Sequence, residues 1–257
     1  RDPDGVRGPL ERLIAPAGRA DRVTHVEHIP ARPARTAEWP DWADLALVAR
    51  FSALGIETPW AHQVDAAELA HAGHSTVIST GTVVLRAPSM SDFDAWSSLR
   101  EQSRSFLAPW EPLWPADDLT RGAFRRRLRR YHSEMRDSTG FPFLVFSTDG
   151  MQLVGGLTLS HVVRGVTQSC SLGYWMGAPF AGRGLMTAAV RAVIPFVFDT
   201  LRLHRLEAAC LPHNAASTRL LEKAGFTREG YARRYLCIEG RWQDHLLYAI
   251  VSDDPRP

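Results

Sequence analysis

Ala178 to Ala189, APFAGRGLMTAA, is the stretch on which the reading of this chain turns. A Gly-spaced turn that runs straight into a helix start presents successive backbone N–H groups, and the helix dipole favours negative charge at that end. Such a mouth suits a diphosphate, which points to a nucleotide-bearing cofactor. For an isolated Gly-x-Gly a plain strand-to-helix turn is the alternative. A second segment favours the binding reading: Asn214-Ala215-Ala216-Ser217 opens another helix that closes at Glu222-Lys223-Ala224-Gly225-Phe226. The two together are far more specific than either alone.

Working outward, strands and helices interleave. Val83–Ala87 reads as a strand, Ser91–Glu101 as a helix capped by Ser91 or Asp92, and Leu119–Arg136 as a longer helix. Phe141–Ser147 alternates, Asp149-Gly150 turns, and Gln152–Val162 returns as a long strand. Ser169–Met176 follows, then the Gly-rich turn, a helix over Leu185–Thr200, a strand over Arg205–Leu211 and a helix over Ala215–Ala224. Two last strands, Tyr231–Ile238 and Trp242–Val251, join at Glu239-Gly240. The expectation is an α+β fold, a three-layer α/β/α arrangement around one mixed sheet.

Over residues 83–252 this order, with the two motifs, resembles the GNAT acyl-CoA N-acyltransferases and, among them, the RimJ/RimL-like protein-alanine N-acetyltransferases. The family's diphosphate turn, Q/R-x-x-G-x-G/A, aligns with Ala181-Gly182-Arg183-Gly184-Leu185-Met186; Gly184 matches, while the first and sixth positions depart. The resemblance implies acetyl-CoA as co-substrate, with the amides of Gly182, Arg183, Gly184, Leu185, Met186 and Thr187 at the diphosphate and the Arg183 guanidinium as an added phosphate contact. It implies that the strand Leu172-Gly173-Tyr174-Trp175-Met176 splays from its neighbour so that its main chain pairs with pantetheine, the N–H of Trp175 or Met176 meeting the acetyl oxygen. An ordinary core strand is compatible with the same residues. Asn214 and Ser217 resemble the family's N-x-x-S: the Asn amide holds pantetheine and Ser217 protonates the leaving thiolate. Helix capping is the structural alternative for Asn214.

An N-terminal α-amine has a pKa of about 7.7–8.0, so acetylating it demands no strong base. Phe106-Leu107-Ala108-Pro109-Trp110-Glu111-Pro112 resembles the segment beside the family's acceptor channel, with Trp110 as a wall and Glu111 as amine anchor or base. A Pro-stiffened loop with a surface Glu is the alternative. Asp244 is a second candidate base, or else a satisfied hairpin residue. The acceptor implied is a protein N-terminus, a ribosomal protein included, with association with the ribosome. A small amine or antibiotic, or cofactor binding without turnover, remain alternatives, and the resemblance is compatible with a monomer or a homodimer.

Composition narrows the classes. A net charge of +2 gives no bulk attraction to nucleic acid. Arg125, Arg126, Arg127, Arg129, Arg130 and Arg136 form a local cluster, yet Phe124, Leu128, Tyr131 and Met135 make an apolar stripe that puts those arginines on a solvated helix face. No specific nucleic-acid partner is expected. Cys170, Cys210 and Cys237 are widely spaced, so they read as buried free thiols rather than a zinc site, and no metal is expected. With no His partner evident, Cys170 and Cys210 make poor acyl carriers, and direct transfer is expected. No apolar run spans a bilayer and RDPDGVRGPLERL has no signal-peptide core, so a soluble, cytoplasmic protein is expected, with no membrane partner.

Residues 1–82 read as a separate, helical and partly disordered appendage, and 83–257 as the acyltransferase domain. Arg1 to about Arg35 is rich in Pro, Gly, Ala and Arg. Helices are expected over Trp39–Leu54 and Ala61–Ala72. From about Asp41 to Thr82 the chain resembles the start of a superfamily-2 helicase: LGIETPWAHQ around Gln63 is similar to a Q motif, and VISTGT to the opening of a phosphate loop. The loop's lysine is absent, because Lys223 is the chain's only lysine. A degenerate helicase-like module, not a working ATPase, is therefore the reading outside the enzyme class.

Overall fold

The computed structural model describes residues 36–41, 43, 45–53, 57–59 and 77–256. Gln63 and the helix expected over 61–72 lie outside them. Upstream of the sheet the described helix is α1, Leu45–Ser52, shorter than the expected Trp39–Leu54. Pro40 begins a turn closed by the Ala43 N–H on the Pro40 carbonyl, so helical bonding starts only beyond it.

The rest is built on an eight-stranded sheet in the order β1-β2-β3-β4-β5-β6-β8-β7. Its strands are β1 (Val77–Ser79), β2 (Val83–Arg86), β3 (Phe141–Ser147), β4 (Leu153–Val163), β5 (Ser169–Met176), β6 (Arg205–Cys210), β7 (Thr227–Ile238) and β8 (Arg241–Val251). All neighbours are antiparallel except β5 and β6. A parallel pair needs a crossover, and α4 (Leu185–Pro195) supplies part of it.

β3 explains the layering. Phe143 and Val145 join one buried cluster with Val190, Val193 and Ile194 of α4, whereas Leu144 and Phe146 join another with Trp96 and Leu99 of α2 (Phe93–Gln102) and Phe124 and Leu128 of α3 (Arg121–Arg136). Successive strand residues face opposite sides, so a strand apolar on both has to be covered twice. α2 and α3 cover one face; α4 covers the other, with α5 (Ala215–Lys223) packed beside it.

The expected boundary at 82/83 cuts through a hairpin. Val77–Ser79 pairs antiparallel with Val84–Arg86, placing β1 in the same sheet as the strands that follow. The Thr80 hydroxyl accepts from the N–H groups of Thr82 and Val83, at 3.2 and 3.1 Å. The helicase-like reading of VISTGT is therefore corrected: this is a closed hairpin turn whose amides are used internally, not a loop open to phosphate. A second departure lies after α4. Pro195 has no N–H to continue the ladder, and the single helix expected to Thr200 passes into a five-residue π turn, Phe196–Thr200, closed by Leu201 N–H on the Phe196 carbonyl.

Candidate active site

The parallel pairing of β5 with β6 runs only from Ser169↔Arg205 to Leu172↔Ala208. On its other edge β6 pairs with β8 along its whole length, from Arg205↔Val251 to Cys210↔Leu246, but Ala209 and Cys210 have no partner on β5. Among the described residues the β6-facing edge of Gly173–Met176 therefore has no strand partner, and the sheet opens there into a cleft of about 830 Å³. Tyr174, Trp175 and Met176 line one wall, and Asn214 and Ser217 at the start of α5 line the other.

At one end of the cleft lies the Gly-rich turn. Gly182 and Gly184 adopt φ of +75° and +78°, a left-handed region that other residues enter only with strain. Gly184 is the N-cap of α4. The N–H groups from Gly182 through Thr187 find no hydrogen-bond acceptor among the described residues. A Cβ added at either glycine would meet nothing within 4 Å, so the approach to these amides is clear. Gly182, Gly184, Leu185, Met186 and Thr187 line the cleft, as do Arg219 and Lys223. Arg183 does not: its guanidinium lies over the Phe180 ring, 5.6 Å from the centroid. An open row of amides at a helix mouth, in a cleft that Arg219 and Lys223 also line, fits a diphosphate.

At the junction of the walls the Tyr174 hydroxyl lies 2.5 Å from Ser217 Oγ. Burial pushes the Tyr174 phenol well above its ordinary value, the Ser217 bond only partly opposing it. The phenol therefore stays protonated and can donate to Ser217, leaving the serine's own proton free for the cleft. Asn214 caps α5, its side-chain oxygen accepting from Ser217 N–H at 3.0 Å. The cap fixes where the Ser217 backbone stands, and the Asn214 amide nitrogen makes no bond to a described residue.

Trp175 is held by parts of the sequence that carry no motif. It pairs with Gly156, where an added Cβ would stand 2.4 Å from Trp175 Nε1. A Cβ at Gly155 would stand 2.4 Å from the Trp175 carbonyl oxygen. The Gly-Gly pair inside β4 was the available signal, since strand glycines mark close approach. At the end of β5 the Ala178 N–H donates to Ser103 Oγ at 2.9 Å, joining the strand to the C-terminus of α2.

Residues 106–112 and parts of β7 and β8 also line the cleft. Trp110 lines the cleft and its ring meets that of His213 at 5.4 Å. Glu111 also lines it, but its carboxylate is engaged: Arg100 donates to both oxygens at 2.7 Å, and Trp114 Nε1 donates to Oε2 at 2.7 Å. The Arg100 guanidinium is sandwiched by aromatic faces, 4.1 Å from the Trp114 centroid and 5.0 Å from that of Trp175. The expectation of Glu111 as a free base is thus met by a carboxylate that instead fixes the loop against the Trp175 wall. Asp244 is also committed. β7 bulges, with Ala232↔His245 and Leu236↔Gln243 in register and three residues opposite Asp244 alone. Asp244 accepts from the Arg234 N–H at 2.7 Å and from the Tyr231 hydroxyl, so it secures the bulge.

Cys170 and Cys210 are buried, as expected, but Cys237 is exposed because it sits on the edge strand. Burial pushes the Cys170 thiol up to about 12, with Glu207 adding to it, and raises Cys210 as well, so neither offers a thiolate. Several arginines of α3 are matched by acids: Arg126 with Asp117, Arg127 with Asp118 and Arg130 with Glu134. Among the described residues there is no cluster of His, Cys, Asp and Glu suited to a metal, and no helix is long and apolar enough to cross a membrane.

Comparison with known proteins agrees with the geometry. Residues 82–227 match the model of the acetyltransferase (GNAT) domain. The chain is 36% identical over 182 residues to the [ribosomal protein uS5]-alanine N-acetyltransferase of Escherichia coli, covering 70% of this chain and 93% of the relative. It is 34% identical to the probable N-acetyltransferase YjcK of Bacillus subtilis, over 67% of this chain and 96% of that one. Among solved structures, Mycobacterium smegmatis RimJ in complex with CoA-disulfide superposes with a TM-score of 0.64 at 34% identity, covering 66% of this chain and 82% of that one. The ribosomal-protein-S5-alanine acetyltransferase of Vibrio fischeri gives 0.66 at 29% identity, over 71% and 100%. With an opened parallel pair, a row of unpaired amides at a helix mouth and a family match over most of the sheet, the chain belongs to the GNAT acetyltransferases and is an acyl-CoA-dependent N-acetyltransferase.

Proposed function

We propose that the chain acetylates the N-terminal α-amine of a protein, a ribosomal protein being the acceptor class, by direct attack in a ternary complex in the cytoplasm. Acetyl-CoA supplies an activated thioester carbonyl. The amides of Gly182 to Thr187 receive the diphosphate, the free edge of Tyr174–Met176 aligns the pantetheine arm, and Ser217 delivers a proton to the leaving sulfur while Tyr174 donates behind it.

The observation that carries the acceptor class is the neutral acceptor end of the cleft. Leu107, Trp110, Leu236 and Ile238 line it, and the one carboxylate among the described lining residues, Glu111, is already bound to Arg100 and Trp114. A polyamine or aminoglycoside carries several cations that need free acids, and the described residues lining the chamber offer none. A single α-amine on a small first residue needs only an apolar pocket. The alanine acceptor named for the Escherichia coli relative has that chemistry. Glu111 acts in this reading as a positioning residue for the Trp110 loop.

The test is acetyl-CoA turnover with a peptide beginning in Ala, the same peptide with its N-terminus blocked and its lysines retained, and a panel of small amines. Turnover confined to the free N-terminus is expected. Equal or faster turnover of the small amines would overturn the acceptor assignment. Calorimetry on the full chain should give micromolar affinity for acetyl-CoA, about −8 kcal/mol.

A further inference from the structure

We infer that His245, on β8, is the group that takes the proton from the attacking amine. The inference rests on the acetyl-transfer reading above and assigns it a residue that no motif marks.

His245 is 2% exposed, and it lines the cleft at the acceptor end, beside Leu236, Cys237 and Ile238. Its Nδ1 lies 3.0 Å from the Gln243 carbonyl oxygen. A carbonyl only accepts, so Nδ1 carries the hydrogen, and in the neutral ring Nε2 holds the basic lone pair. Nε2 has no hydrogen-bond partner among the described residues, yet it is not one of the sealed, unpartnered buried atoms. It therefore opens on the cleft that the ring lines. The Tyr235 ring meets the imidazole edge-on at 5.8 Å, brought there by the bulge that Asp244 secures.

The other ionisable groups lining this cleft are engaged or unsuited. Glu111 is held by Arg100 and Trp114. Tyr174 and Cys210 are kept protonated by burial, and Arg219 and Lys223 are cations on α5. Cys237 is an exposed thiol, which cannot take a proton until it has first lost its own. The Tyr235 ring of β7 faces the imidazole, Glu111 and Cys237 line the same cleft, and Asp244, the preceding residue on β8, is held on the other side of the strand by the Arg234 N–H and the Tyr231 hydroxyl. A large share of an α-amine, whose pKa is about 7.7–8.0, is neutral at pH 7–8, so the group that receives its proton need not be a strong base.

The step balances without any further reactant. The amine nitrogen forms a bond to the carbonyl carbon and the carbon–sulfur bond breaks. The proton leaving nitrogen passes to Nε2, and the proton arriving at sulfur comes from Ser217 Oγ, which regains one from water while the Tyr174 phenol stays protonated and donates to it. The products are an amide and a thiol, and Nε2 later returns its proton to water.

Nitrogen-15 NMR of the histidine rings in the full chain tests this without turnover. The neutral His245 ring should carry its hydrogen on Nδ1, and its Nε2 resonance should shift when an Ala-starting peptide is added with CoA. A hydrogen on Nε2, or no response to peptide, would overturn the inference. His245→Asn keeps a donor for the Gln243 carbonyl but has no titrating nitrogen. It should bind acetyl-CoA like the wild type, lower kcat on the order of 100-fold and lose the histidine-dependent acid limb of the kcat/KM profile. A wild-type kcat and an unchanged acid limb would also overturn it, because a purely structural histidine would alter stability and not the pH profile. If the wild type acetylated no amine at all, the acetyl-transfer reading would fall by itself, while tautomer and peptide response would still decide the place of His245.

Discussion

Replacing Glu111 by alanine separates a clamp from a base. The Arg100 side chain is 7% exposed and that of Glu111 19%, so truncation leaves a nearly buried guanidinium without its counter-charge and takes an acceptor from Trp114. Breaking a fully buried pair by removing one partner costs about 3–5 kcal/mol; discounting for the partial exposure of Glu111 gives about 2–4 kcal/mol. In a chain of this size each kcal/mol shifts Tm by about 2–4 °C, so Glu111→Ala should melt about 4–16 °C below the wild type. Glu111→Gln keeps two acceptor-sized atoms and should fall between them. Thermal unfolding by circular dichroism gives Tm, and acetyl-CoA turnover per folded molecule gives the chemistry. A folded Glu111→Ala enzyme should keep an unaltered acid limb in its pH profile even where its KM rises. An unshifted Tm together with lost turnover would refute the clamp and restore Glu111 as the base.

Ser217→Ala should lower kcat on the order of 100-fold, and Tyr174→Phe by less, with acetyl-CoA affinity by calorimetry unchanged in both; full activity in Ser217→Ala would remove the serine from proton delivery. Gly156→Ala puts a Cβ 2.4 Å from Trp175 Nε1, so the indole must move; altered tryptophan fluorescence with reduced kcat is expected, and a wild-type rate would show that the indole's position is immaterial. Asp92 tests the fold under acid. Burial acts to raise its carboxyl, but Arg86 and Ser89 outweigh burial and hold it below its ordinary value. A depressed folded-state value means that this stability is fully present above the unfolded value of about 3.9 and is lost as pH falls through the folded one. Asp92→Asn should therefore be less stable at pH 7 by about 3–5 kcal/mol, since Arg86 loses its counter-charge. The gap in urea midpoint should narrow below about pH 4, and a gap that stays constant with pH would exclude the ion pair as its source.

Legibility followed the range of the interactions. Ser169–Met176, expected after the Arg164-Gly165 turn, has its observed bounds, and the strands expected over Arg205–Leu211 and Gln152–Val162 come within a residue of theirs, because strand pattern and bounding turns are local in sequence. Positive φ at Gly182 and Gly184 is local too, so the helix mouth is legible from its glycines. The Arg104–Leu107 and Ala108–Trp110 turns were not: they are fixed by contacts such as Ser103 Oγ with the Ala178 N–H, seventy-five residues away. The same distance effect misdirects the search for a base. Glu111 and Asp244 look available in the sequence, because nothing local indicates that Arg100 and Trp114 or the Arg234 amide will claim them. His245 attracts no notice, since its value depends on a carbonyl two residues back and on the opening of the sheet beside β6. Acids in a folded protein tend to be consumed by the cations and amides they meet. A ring whose two nitrogens differ can spend one on the backbone and keep the other for substrate. That division of labour is why the acceptor end can stay neutral and still move a proton.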